Sequence, residues 1–234
     1  MKPDISIIIP LYNEVDNIEP LGLSIINAME GKNYEVVFVD DGSTDGSTKK
    51  LKEWCAQHTN FRAIHFRKNA GQTAAMDAGF RHALGKYVVS MDADLQNDPA
   101  DIPKLLEKLN NYDMVCGWRQ KRNDPWIKRI SSKVANYIRN KLSREDIKDT
   151  GCSLKAYRRE CLDHIKLYNG MHRFLPTLFK MEGFTVTEIV VNHYPRKFGK
   201  SKYGISNRAF RAFVDLLVVR WMKKRKLNYE VENE

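Results

Sequence analysis

The chain has 234 residues, 42% of them hydrophobic and 10% aromatic, with 13 Gly and 8 Pro. That is enough apolar material for one substantial core, and it excludes a disordered, collagenous or low-complexity chain. The formal net charge of +10 is split unevenly: residues 1–110 carry 12 Lys+Arg against 16 Asp+Glu, residues 111–234 carry 27 against 13. An acidic half that could hold a cation thus precedes a basic half that could meet phosphates or an anionic lipid surface. The four cysteines, at 55, 116, 152 and 161, form no CxxC pair and have no metal-ligand spacing, which reads as reduced, cytoplasmic thiols. The apolar run in "MKPDISIIIP" is too short for a signal peptide, and no segment approaches the ~18–20 apolar residues a spanning helix needs.

In chain order, the first half alternates strand and helix. "DISIIIP" predicts a strand, followed by a helix in "NEVDNIEPLGLSIINAME"; "YEVVFVD" a second strand, then a helix in "STKKLKEWCAQH". "FRAIHF" and "GQTAAMDAGFRHAL" repeat the unit, as do "KYVVSMD" and "DPADIPKLLEKLNN", with Pro in the first helical turn and Asp98 as its cap. "YDMVCG" predicts a fifth strand. Continuous apolar strands alternating with helices imply an α/β fold with a mostly parallel sheet covered on both faces. Such sheets bind ligands beyond the carboxyl ends of their strands. The polar stretches "PLYNE", "VDDGSTDGS" and "MDADLQ" all fall there.

After about residue 118 the rhythm changes. "PWIKRISSKVANYIRNKL" predicts a basic helix with Trp126 and Tyr137 as interfacial candidates. "DTGCSLKAYRRE" predicts a loop or strand before a short helix, "MHRFLPTLFKM" another helix, and "FTVTEIVVNHYPR" a strand. The last helix, from about Asn207, carries Phe210, Phe213, Val214, Leu217, Val218 and Trp221 as one apolar stripe, with Lys223, Lys224, Arg225 and Lys226 behind it. That pattern predicts a helix lying on a membrane surface through residues 207–226, unless the stripe packs on the core.

Asp92 and Asp94 end the fourth strand, with Gln96 two residues on. Two carboxylates and a carboxamide are hard ligands suited to Mg²⁺ or Mn²⁺, whose remaining positions are commonly filled by water and phosphate oxygens. A D-x-D alone is weak. Here it follows "IIIPLYNE" (7–14), "VDDGSTDGS" (39–47) and "NAGQTAAMDAG" (69–79) within "MDADLQNDP" (91–99). Together these resemble the family 2 glycosyltransferases of GT-A fold. "DTGCSLKAYRR" (149–159), "GMHRFLP" (170–176) and "VNHYPRKFGKSKYG" (191–204) resemble the branch that glycosylates polyprenyl phosphates, the dolichyl-phosphate mannose synthases and bacterial undecaprenyl-phosphate sugar transferases.

The resemblance covers about residues 4–222 and implies a role for each matching position. Pro10, Tyr12 and Glu14 line the nucleobase pocket, with Asp40 or Asp41 on base or ribose. Asp92, Asp94 and Gln96 hold the metal and donor diphosphate. Arg119, Arg129 and Ser132 take the acceptor phosphate, with Lys128 competing for the place of Arg129. Arg196 and Lys202 belong to a loop closing over the donor, and Arg173 is a further phosphate candidate. His164, His172 and His193 receive no role.

The implied reaction is metal-dependent and inverting, moving a hexose from GDP-mannose or a UDP-hexose to a polyprenyl phosphate with a β linkage. A phosphate monoester is already largely ionised near neutral pH, so it needs positioning and charge neutralisation more than a base. The implied organisation is a transferase domain over 1–204, comprising a donor half (1–118) and an acceptor half (119–204), then a basic amphipathic tail (205–234). It would sit peripherally on the cytoplasmic face of a membrane, with no transmembrane span. A polysaccharide or lipid-linked glycan acceptor is the alternative within the family. A nucleic-acid binder is the alternative outside it, and the acidic first half and metal motif argue against it.

Overall fold

The structure is a computed structural model; it describes residues 2–120, 147–196, 205–227, 229 and 232, with the side chains of 205–213 outside the description. Among the described residues seven strands form one sheet in the order β3-β2-β1-β4-β6-β5-β7. They are β1 (Ile5–Leu11), β2 (Tyr34–Asp40), β3 (Phe61–His65), β4 (Tyr87–Ser90), β5 (Met114–Trp118), β6 (Lys155–Arg158) and β7 (Val186–Val190). The pairs β1–β2, β2–β3, β1–β4 and β5–β7 are parallel. Strand β6 runs against its neighbours β4 and β5.

Helices cover both faces, as continuous apolar strands require. On one face Ile5, Ile7, Ile9 and Leu11 of β1 and Val36 and Phe38 of β2 pack with α1 (Ile18–Ala28), α2 (Ser47–Gln57) and α4 (Ile102–Lys108). On the other, Ile8, Val37, Val39 and Val88 pack with α3 (Gln72–His82), α5 (Arg159–Leu162) and α6 (Leu175–Met181). Each fully buried isoleucine contributes about 1.5–3 kcal/mol by leaving water. The final helix, α7 (Ile205–Arg225), joins the body through Leu216 and Val219, which pack on Met171, Phe174 and Leu178. The expected basic helix at "PWIKRISSKVANYIRNKL", with Trp126 and Tyr137, lies outside the described residues.

The amino-terminal edge of the sheet, opposite the polar loops, is pinned by a buried carboxylate. Glu35 is 6% exposed and accepts from Ser6 Oγ (2.6 Å), Leu84 N (2.8 Å) and Arg62 Nε (2.7 Å). Burial alone would raise its carboxyl pKa, but the bonds from Arg62, Ser6 and Leu84 outweigh it and hold the value below the ordinary range. A carboxyl depressed in the folded state stabilises fully above its unfolded pKa, about 4.3, and that contribution is lost as pH falls through the folded value. Glu35→Gln is therefore expected to cost about 1–3 kcal/mol at pH 7. In urea titrations the gap from wild type should narrow steadily below about pH 4; a gap constant from pH 7 to 3 would remove the ionised carboxylate from this account.

Candidate active site

The strand order reverses between β1 and β4: the chain runs from β1 through β2 to β3 on one side and returns to β4 on the other. That is where an open parallel sheet forms a crevice at its carboxyl edge. Tyr12 and Glu14 follow β1 into it; Asp92, Asp94 and Gln96 follow β4.

The floor is a network between the loops after β1 and β2. Asn13 N donates to Ser43 Oγ (2.9 Å), Thr44 N to Asn13 Oδ1 (2.7 Å), and Glu14 N to Ser47 Oγ (3.1 Å). Asn13 has φ 53°, a left-handed conformation that Asn tolerates better than most residues. Gly42 is more constrained: it has φ +71°, and a Cβ there would lie 2.6 Å from the Lys68 carbonyl carbon. The position requires glycine on both counts.

Asp40 and Asp41 are both buried, and both are committed to the protein itself. Asp40 accepts from Ser43 N (2.9 Å), Thr48 Oγ1 (2.5 Å) and His65 Nδ1 (3.1 Å). Burial would raise its pKa, but these bonds lower it overall. Asp41 accepts from Asn69 Nδ2 (2.8 Å), Ala70 N (2.6 Å) and Gly71 N (2.9 Å) and so shapes the turn into α3. Burial, joined by the charge of Asp40, raises its carboxyl despite the two amides. The adjacent pair thus organises two loops of the crevice wall, and its oxygens are engaged there.

Across the crevice, Asp92 Oδ1 accepts from Gln72 Nε2 (2.8 Å), the first residue of α3. Asp94 is 8% exposed; its Oδ2 accepts from Arg196 (2.7 Å) and its Oδ1 from Gln96 N (3.2 Å). Burial raises the Asp94 carboxyl pKa, and the nearby Asp92 charge raises it further. A buried carboxylate whose charge is opposed by a neighbouring one calls for a cation. Arg196 supplies one in this structure, since it also reaches Glu14 Oε1 at 3.3 Å. The expected donor-side residues Glu14, Asp94 and Arg196 are therefore in direct contact. Gln96 sits beside them, its Nε2 donating to Tyr194 O (3.3 Å). Asp98 caps the turn that follows by accepting from Ala100 N (3.0 Å), as expected.

Arg119 leaves the carboxyl end of β5 on the same edge of the sheet. Its Nε and Nη2 fork onto Asp149 at 2.8 and 3.0 Å. Burial would lower the guanidinium pKa, but the Asp149 bonds and charge, together with Asp92, raise it well above its ordinary value. Asp149 is itself 2% exposed in this pair, and Glu188 of β7 accepts from the backbone amides of Lys148 (2.8 Å) and Asp149 (3.0 Å). Buried Lys155 donates to the carbonyl of Cys152 at the far end of that turn. A second link joins α3 to the "GMHRFLP" segment: Thr73 Oγ1 lies 2.7 Å from His172 Nδ1 and accepts from Gly170 N at 3.0 Å.

Arg129, Ser132, Lys128 and Lys202 lie outside the described residues; of the loop expected to close over the donor, Arg196 is described. Sequence reasoning missed Gln72, Asp149 and Glu188, each of which is placed by a contact between distant parts of the chain, and Lys155, which bonds locally to Cys152. The acid in "DTG" was the available signal for Asp149.

The model of the family described as glycosyl transferase family 2 matches residues 6–166. A dodecaprenyl-phosphate galacturonate synthase of Rhizobium johnstonii is 37% identical over 231 residues, covering 95% of this chain and 68% of that protein. Among solved structures, glucosyl-3-phosphoglycerate synthase from Mycobacterium tuberculosis with Mn²⁺, UDP-glucose and phosphoglyceric acid superposes with a TM-score of 0.73 at 18% identity, covering 94% of this chain and 80% of that one. A mannosyltransferase from Pyrobaculum calidifontis with GDP-mannose and Mn²⁺ gives a TM-score of 0.66 at 22% identity, over 98% of this chain and 66% of that one. The architecture is the GT-A fold, with its strand-end carboxylates at the crevice, and the class is that of the glycosyltransferases. Within it, the chain belongs to glycosyltransferase family 2.

Proposed function

We propose that the chain transfers a sugar from a nucleoside-diphosphate donor to a polyprenyl phosphate, inverting the anomeric centre. The observation that carries this reading is the pair Asp92 and Asp94 at the reversal of the sheet, with Arg119 just beyond the carboxyl end of β5 on the same edge. The 37% identical relative supports the lipid phosphate as acceptor.

Among the described residues no three His, Cys, Asp or Glu side chains gather into a metal centre. The donor set still fits Mg²⁺ or Mn²⁺, because Mg²⁺ is usually held by one or two carboxylates and completes its shell with water and phosphate oxygens. Asp92, Asp94 and Gln96 would hold it, and when bound it would neutralise charge developing on the diphosphate. The chain's own residues do the rest. Tyr12 and Glu14 border the donor pocket beside Pro10, while Asp40 and Asp41 hold the walls in place. Arg119, oriented by Asp149, would offer charge to the acceptor phosphate, whose oxygen attacks opposite the departing diphosphate. Alignment and charge neutralisation carry the catalysis.

Membrane contact is part of this proposal. No helix among the described residues is long and apolar enough to cross a membrane. In α7 the inward side chains are Leu216 and Val219, whereas Val214, Leu217, Val218 and Trp221 face outward and exposed. The outward stripe coincides with the one expected at a membrane surface, and Lys223, Lys224 and Arg225 follow it. Phe210 and Phe213 lie outside the described side chains. We place the protein peripherally on the cytoplasmic face through this helix.

The test incubates the protein with Mn²⁺ or Mg²⁺, a short polyprenyl phosphate and each common sugar nucleotide, with Asp94→Ala as control. A mass-detected polyprenyl phosphate sugar, absent with the variant and greater with anionic vesicles than with neutral ones, is the expected result. Metal-dependent donor binding without any lipid product would move the acceptor to a polysaccharide or lipid-linked glycan.

A further inference from the structure

The segment after β7 is fastened along the loop that follows β4. Asn192 N donates to Asp101 Oδ2 (2.7 Å), Tyr194 N to Gln96 O (2.9 Å), and Tyr194 Oη to Asp98 Oδ2 (3.0 Å). Asn97 and His193 form a β-bridge between the two stretches. These bonds bring Arg196, 102 residues away in sequence, onto Asp94 Oδ2 at 2.7 Å and within 3.3 Å of Glu14. Its side chain is 29% exposed, while those of Glu14 and Asp94 are each 11% exposed.

Asp94 Oδ2 is therefore already serving a positive charge. A divalent ion about 2.1 Å from that oxygen would stand within roughly 5 Å of the guanidinium. Two cations that close, in a partly buried crevice, oppose one another strongly.

We propose that Arg196 is an exchangeable counter-cation that competes with the metal for Asp94 until a donor diphosphate draws it away. The proposal rests on the reading of Asp92, Asp94 and Gln96 as the metal's ligands. Glu14 keeps the guanidinium in the crevice while it changes partner, and the diphosphate is the next anion in reach. Metal and nucleotide then bind cooperatively: each removes an obstacle to the other, and the coupling is reciprocal. With Arg196 in place Asp94 is paired, and a metal ion alone is held weakly.

Mn²⁺ titrations of the full chain, followed by the electron paramagnetic resonance of free Mn²⁺, test this with and without GDP or UDP. Wild type is compared with Arg196→Gln, Arg196→Lys and Asp94→Asn, each checked for its thermal transition. Arg196→Gln is expected to bind Mn²⁺ alone about tenfold more tightly than wild type or better, as removal of a charge-assisted hydrogen bond predicts. That advantage should shrink once the nucleoside diphosphate is present, and Arg196→Lys should fall between. Asp94→Asn should lose the ion in all conditions. Equal affinities for wild type and Arg196→Gln, with Asp94→Asn still deficient, would overturn the exchange and leave the metal site standing. Mn²⁺ binding that never depends on Asp94 would overturn both.

Discussion

Asp94→Asn is expected to lower the rate of sugar transfer by about a thousandfold, with the protein still folded. Removing one preorganised charge-stabilising group from an active site commonly costs 10²–10³ in turnover. Asparagine keeps the shape and can still accept from Gln96 N, but it removes the negative charge that would attract a cation. The fold should tolerate the change well, because burial and Asp92 already make the Asp94 charge costly. The thermal transition should stay within a few degrees of wild type, while single-turnover assays show the loss. Asp92→Asn should follow the same course, since Asp92 shares the crevice and its Oδ1 is held by Gln72. Near-normal turnover in Asp94→Asn would remove the carboxylate pair from the chemistry.

The second large effect is expected at the other side of the crevice. Asp149→Ala should destabilise the chain by about 3–5 kcal/mol, the usual cost of leaving a buried charge without its partner. Arg119 would be that charge, since its Nε and Nη2 both donate to Asp149. The same substitution should raise KM for the lipid phosphate more than KM for the sugar nucleotide, because the guanidinium loses its orientation. Arg119→Lys should share the acceptor defect with a smaller loss of stability, as lysine keeps the charge without the fork. Unfolding curves and the two KM values separate the effects. An Asp149→Ala protein as stable as wild type, with an unchanged acceptor KM, would count against this arrangement.

Much of this fold is legible in the sequence because a parallel α/β sheet advertises itself locally. "DISIIIP" and "YEVVFVD" are apolar on both faces and end in polar loops, so strand, burial and the functional edge are read together. Asp92, Asp94 and Gln96 are legible for the same reason: three hard oxygen donors within five residues need no tertiary contact to be recognised. What is illegible depends on long-range pairing. Nothing in "SLKAYRR" says that Lys155–Arg158 slots antiparallel between β4 and β5. The Arg119–Asp149 fork joins residues 30 apart, and the Asp94–Arg196 pair residues 102 apart. "VDD" offers two adjacent acids, and only the folded loops show both committed to hydrogen bonds within the wall. For α7, amphipathic spacing identified the stripe, but the packing of Leu216 and Val219 decided which side turns outward.

The reversed strand β6 has a geometric consequence. Lys155 is registered opposite Ser90 of β4 and opposite Cys116 of β5, so one strand lies between the loop bearing Asp92 and Asp94 and the strand end bearing Arg119. Two strand spacings amount to about 10 Å. The proposed displacement at an anomeric carbon needs an arriving phosphate and a departing diphosphate on opposite sides of one sugar ring, and backbone hydrogen bonds would hold that gauge. On the proposed reaction, loops around the crevice could be rewritten to admit other bases, sugars or lipids while the span between the two proposed phosphate sites stays constant.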